Sequence, residues 1–190
     1  MTYPPSPVLA ALLDSIDPFR QDTTAPVFDE ERLQALADTA DAVPMLIDVA
    51  ADDRAPLGRR YAAAEAIAQL GATARLTADG DAAHRVAFML ADAMQRDAFH
   101  NRWGLPGHFI GDTGKLLLAL GAEARAALQP LLANEQPLNI IGSQAATLQE
   151  ARRYRIRDLA AYLLATQDGV TWQDDPDPAV SDLDKDRPRD

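Results

Sequence analysis

The stretch from Ala98 to Thr113, AFHNRWGLPGHFIGDT, gathers two histidines, a tryptophan, an arginine, two phenylalanines and three glycines into one short segment. Tryptophan and arginine dominate the energetics of protein interfaces. Arg102 and Trp103, with His108 and Phe109 beyond them, are therefore candidate anchors of a partner-binding surface. A competing reading folds Trp103 and Phe109 back as a cap on the core, since large aromatic side chains are usually buried. His100 and His108, with Asp97 or Asp112, supply metal-ligand types. Their eight-residue spacing through glycine and proline matches no helical ligand pair such as His-x-x-x-His. No metal or other cofactor is expected.

A second chemical group is the run QEARRYRIRD, with Arg152, Arg153, Arg155 and Arg157. With Arg59 and Arg60 it could form a basic strip that binds carboxylates or phosphate through bidentate guanidinium geometry. Arg153 and Arg157 are the candidate contact residues within it. The alternative is internal pairing, with Asp52, Asp53, Glu150 and Asp158 as counterions in an Asp/Arg ladder. Gly111-Asp112-Thr113-Gly114-Lys115 looks superficially like a phosphate loop, but it lacks the full spacing, the Ser/Thr after lysine and a preceding strand. It reads better as the start of a short helix capped by Asp112 or Thr113. No Gly-x-Ser-x-Gly elbow or His-Glu-x-x-His is present. With no cysteine in the chain, disulfides, thiolate zinc sites, iron–sulfur clusters and a thiol nucleophile are excluded.

These groups must be positioned by helices. Among 190 residues, 37 are alanine and 24 leucine, against 14 valine and isoleucine together, so helix formers far outnumber strand formers. The formal net charge of −11 repels phosphate backbones and makes a basic protein the easier partner; nucleic acid is not expected. Only two of the 18 cationic residues are lysine, which also fits arginine-rich codon usage. No apolar run approaches the roughly 20 residues of a membrane span, and no basic segment precedes the short apolar run near the N-terminus. A soluble, cytoplasmic protein without membrane contact is expected.

Helical spacing predicts a first helix from Pro7 to Ile16, closed by Pro18, and a second from an Asp29 cap to about Thr39. Residues 42–71, AVPMLIDVAADDRAPLGRRYAAAEAIAQLG, read as two helices around a polar turn, ending at a Gly71 C-cap. Asp81–Arg96 is the next helix, with His84 expected buried or half-buried beside Phe88 and Ala91. GDTGKLLLALG repeats the Leu-Gly ending at Leu120-Gly121. EARAALQPLLAN is a helix interrupted at Pro130, and a strong helix is predicted from about Ala151 to Thr166, with Ile156, Leu159, Ala160 and Leu163 inward and Arg153 and Arg157 on another side.

This pattern resembles HEAT-like repeats, including the bilin-lyase type, over roughly residues 42–167. The residues that carry it are Val43-Pro44 and Leu46, Asp53 with Arg59 or Arg60, Ala62-Ala63 and Leu70-Gly71, then LLLALG with EARAALQPLLAN, and YRIRDLAAYLLA. The middle unit departs from it in having Lys115 for arginine and a longer loop, and the third unit lacks the Leu-Gly ending. The resemblance implies an all-α fold, a short right-handed α-solenoid of about four HEAT-like hairpins over residues 1–170, whose stacked pairs share one core. Residues 171–190 are expected to form an acidic, proline-containing tail without fixed structure, since residues 174–190 hold seven Asp and three Pro. The function expected is a non-catalytic protein-binding module, an adaptor or assembly factor that uses the 98–113 loop and the concave face. The alternatives are an immunity-type inhibitor of a basic toxin and a lyase or chaperone acting on a cofactor-bearing protein.

Overall fold

A computed structural model of the chain describes residues 7–17, 19 and 27–173. Those residues form ten α-helices and one two-stranded antiparallel hairpin, so the protein is mostly helical, as the composition predicts. Pro18 and the acidic tail from Asp174 lie outside the described residues.

The centre of the fold is α4 (Leu57–Gln69), in which Tyr61 to Ile67 are buried without a break. A helix apolar on every side is stable only when surrounded. Here α1 (Pro7–Asp14), α2 (Glu30–Ala37), α3 (Ala42–Ala51), α5 (Thr73–Thr77), α6 (Gly80–Arg96) and α7 (Asp112–Ala119) all pack on it. Its alanines let α3 approach closely. Asp29 caps α2 by accepting from the Arg32 amide at 2.9 Å, as its position predicts. The Leu-Gly pairs end α4 and α7 as expected: Gly71 and Gly121 adopt φ of 67° and 60°, the left-handed turn that glycine enters without a Cβ penalty.

The long helix α6 finds its main neighbours in α3, α4, α5 and α8 (Ala122–Leu128), while α7 rests on α4, α5, α8 and α10 (Ile156–Gln167). At Pro130 the helix tightens into a 3₁₀ turn over Gln129–Ala133, because proline cannot donate the next helical bond.

The C-terminal region corrects one expectation. The helix predicted from Ala151 to Thr166 begins only at Ile156, as α10; Ala151 and Arg152 instead end a separate helix that the spacing did not predict, α9 (Ser143–Arg152), and the chain breaks between the two where Arg153 adopts φ 55°, ψ 42°. The break is stabilised at Asp158, whose Oδ2 accepts from the Arg155 amide at 2.7 Å, giving α10 its own start. Trp172 contacts Tyr154 and Tyr162 edge-on at 5.8 and 5.7 Å, so the packed chain continues past residue 170.

Candidate functional site

The segment between α6 and α7 is built around Trp103, which is completely buried. Its ring stacks on Tyr61 at 5.7 Å, and its Nε1 donates to Asp97 Oδ2 at 3.0 Å. The following residues form a small hairpin that pairs Gly104 with Ile110 and Leu105 with Phe109. The start of α7 then docks beneath the loop: the amides of Thr113 and Gly114 both donate to the Arg102 carbonyl, at 3.0 and 3.2 Å. Helix starts carry unpaired N–H groups, and here the loop backbone, not Asp112 or Thr113, satisfies them. The approach is so close that a Cβ on Gly111 would lie 2.1 Å from the Arg102 carbonyl oxygen, and one on Gly114 2.2 Å from that of Trp103.

Two expected contact residues are therefore interior ones. Trp103 is part of the core and Arg102 is 6% exposed; apolar burial and the docking of α7 outweigh surface display of the indole. Arg102 lies against Glu65 and Asp97, whose ionised forms it favours. His108 and Phe109 remain on the surface, so the folded-back cap is formed by Trp103 without Phe109. His84 is also exposed, contrary to expectation. Its Nδ1 lies 2.6 Å from Glu123 Oε2, and its ring contacts the exposed Phe88 at 4.7 Å.

His100 has a structural task that its spacing does not reveal. Its Nδ1 accepts from the Asn139 amide at 3.0 Å, and its Nε2 lies 3.1 Å from the Met94 carbonyl, which places the proton on Nε2. Burial lowers the pKa of the ring and keeps it neutral. Asn101 extends the clamp, exchanging two hydrogen bonds with the Ile141 backbone at 2.7 and 3.0 Å. The same extended segment is held from its other side, where the Leu138 amide donates to the Tyr154 carbonyl at 2.9 Å. Gln149 Nε2 ties Leu138 and Tyr154 together through both carbonyls at 2.8 Å. No group of three or more His, Asp or Glu side chains is placed to hold a metal ion among the described residues.

This clamp creates two open grooves, one on each side of α9, a helix with no fully buried residue. The larger, about 620 Å³, is bounded by Phe99, Pro137, Leu138, Ile140, Ala146 and Arg153. The smaller, about 370 Å³, is bounded by Leu105, His108, Phe109, Ala145 and Leu148. Phe99 and Phe109 are 38% and 37% exposed, one in each groove.

The arginines divide between the two expectations. Arg59 pairs with Asp14, Arg60 with Asp53, and Arg155 with Glu135 and Asp158. Arg157 is held by the same Glu135 and Asp158, so it offers no spare charge. Internal pairing is thus the dominant pattern, with Glu135 and Asp14 as partners that linear spacing did not suggest. Arg153 differs. Its exposed side chain makes no ion pair or hydrogen bond among the described residues. It also does not share a helix with Arg157, because the chain turns at Arg153 itself.

Comparison with known proteins finds no matching family model, no matching curated protein and no matching solved structure.

Proposed function

We propose that the protein is a non-catalytic protein-binding module, an adaptor or assembly factor whose helical pairs stack in the HEAT-like manner, and that the face around α9 receives the partner. The observation that carries this reading is Arg153. A helix ending in the left-handed conformation favours glycine at that position, and a non-glycine residue there costs on the order of 1–2 kcal/mol. Strain of this kind is retained where the surrounding structure over-determines it and the residue has work to do. The strained residue here is a cation that lines a groove with the exposed ring of Phe99 and with Leu138 and Ile140, alongside the charged groups of Glu135, Glu150 and Arg155. A partner segment with a carboxylate for Arg153 and an apolar side chain for the groove fits that chemistry.

The polar groups around Trp103 support binding over catalysis at this face. Asp97 and His100 both have shifted pKa values, from burial, but their hydrogen-bonding capacity is used in holding the loop and the extended segment.

The test is affinity capture followed by titration of the purified partner against wild type, Arg153→Glu, Phe99→Ala and Phe109→Ala, all checked for folding by circular dichroism. A partner whose affinity falls at least about tenfold with Arg153→Glu and Phe99→Ala supports the reading, the loss expected for a charged hydrogen bond and a buried contact. A partner that binds all four alike moves the interface elsewhere.

A second reading is favoured by one surface. Asp48, Asp52, Asp53, Asp79 and Asp81 line an open cleft of about 580 Å³ with Arg54 and Arg85. This acidic face would complement a basic protein, as an immunity-type inhibitor requires. Steep loss of partner association rate with added salt, and with Asp48→Asn and Asp79→Asn, would select it over the α9 face.

A further inference from the structure

A third concavity lies apart from both faces. Glu65, Ala68 and Gln69 of α4, Thr73 of α5, and Asp112, Lys115, Leu116 and Ala119 of α7 enclose about 330 Å³. Glu65, which contributes to its lining, is only 3% exposed. Thr113 donates its hydroxyl to Glu65 Oε1, and the same hydroxyl oxygen lies 3.1 Å from Tyr61 Oη. A carboxylate has about four acceptor positions, and one neutral hydroxyl is the hydrogen-bond donor that Glu65 meets among the described residues. At the outer edge, Lys115 Nζ bonds Asp112 Oδ1 at 2.9 Å, so those two exposed charges offset one another. Ala68, Leu116 and Ala119 supply aliphatic lining, and Gln69 and Thr73 add polar groups. The cleft therefore combines a largely apolar, open lining with a buried carboxylate, on a molecule of net charge −11.

We propose that this cleft is a binding pocket for one alkyl cation, an ammonium or guanidinium on an unbranched aliphatic stem, with Glu65 as the anion that receives it. The stem would pack on the aliphatic walls while the cationic head supplies the donors that Thr113 leaves wanting, a division suited to lysine and arginine side chains. The cation can be borne by a partner protein or be a free small amine. No residue of the grooves beside α9 lines this cleft.

Protonation sets the pH dependence expected of this site. Burial raises the Glu65 pKa to about 6, with Asp112 and Asp97 adding to the rise and the Thr113 hydrogen bond and the Arg102 charge opposing it. A cation would bind the ionised form, so affinity should be greater at pH 8 than at pH 5.

The test is a titration of the whole protein, followed by ¹H–¹⁵N NMR, with agmatine and with acetyl-Gly-Arg-Gly-amide, against a potassium chloride control. Saturable shifts centred on residues 65–73 and 112–119 are expected in wild type. Glu65→Gln keeps an acceptor for Thr113 and should weaken binding at least about tenfold. Ala119→Phe, which adds bulk to the cleft lining while leaving Glu65 in place, should do the same. Tighter binding of the peptide identifies a protein-borne cation, and tighter binding of agmatine a free amine; either supports the pocket. Absence of saturable shifts with both probes, or equal binding by wild type and Glu65→Gln, overturns it.

Discussion

The Trp103 indole stacks on the Tyr61 ring at 5.7 Å, so the loop between α6 and α7 is keyed to the central helix α4. Tyr61 continues the connection through Thr113 to Glu65. The loop backbone, the start of α7 and the buried carboxylate thus share one contact network.

Truncating Trp103 should destabilise the whole fold. Trp103→Ala removes a fully buried indole and leaves Asp97 without its donor, a loss of about 3–5 kcal/mol in chemical denaturation. Trp103→Phe keeps one aromatic ring against Tyr61 but removes the hydrogen bond and part of the buried ring volume, with an expected cost of about 1–3 kcal/mol for the stranded acceptor plus a smaller cavity term than Trp103→Ala. Equal losses for the two variants would show that the ring contributes little.

Replacing Arg153 by glycine should separate stability from binding. Glycine relieves the left-handed strain, raising stability by about 1 kcal/mol, while the cation at the groove is lost. The expected pattern is a higher denaturation midpoint with weaker partner binding. A lower midpoint would mean that the arginine side chain stabilises the turn.

Glu65 should make the protein less stable as pH rises. Its folded-state pKa of about 6 lies above the ordinary 4.5, so between those values the native state holds more protons than the unfolded state. Stability from this group is therefore complete below pH 4.5 and falls as pH rises to about 6. The shift corresponds to about 2 kcal/mol at pH 7. Glu65→Gln should be more stable than wild type by up to that amount at pH 7, with the difference shrinking toward pH 4.5. Denaturation of both proteins at pH 4.5, 6 and 7.5 checks the sign, and their difference cancels the opposite contribution of His100, whose lowered pKa weakens the fold as pH falls below the ordinary 6.5.

His100→Ala should release the extended segment before it unfolds the helices. The Asn139 amide and the Met94 carbonyl lose their partner, for a cost of about 2–4 kcal/mol. Hydrogen exchange should accelerate first at Asn139 and Ile141. Uniform acceleration across α4 would mean instead that the clamp and the core open together.

Much of the helical framework was legible in the chain because its signals are local. Asp29 at a cap, alanines through α4 and glycine after Leu70 and Leu120 each act on backbone within a turn or two of themselves. The division of α9 from α10 was hidden because alanine, arginine and tyrosine keep helical spacing across the break. The one local sign was Asp158, three residues after Arg155, where an acid can accept from the helix's first amide.

The sites followed the same division. That residues 98–113 differ from the rest, and that arginines gather at 152–157, could be read from composition. Whether Trp103 faced a partner or the core depended on Tyr61 and Asp97 being available to receive it. Which arginine stayed unpaired depended on Glu135, distant in the chain and adjacent in space. Glu65 drew no attention, being one acid in an alanine-rich helix. Its burial comes from α7 and the loop closing over α4. The sequence by itself determined an acidic, cysteine-free, helix-rich chain, because propensity, charge and capping belong to individual residues and their near neighbours. Tertiary structure alone decided the inward tryptophan, the strained Arg153 and the buried carboxylate, because burial and pairing are set by groups that meet only when the helices pack.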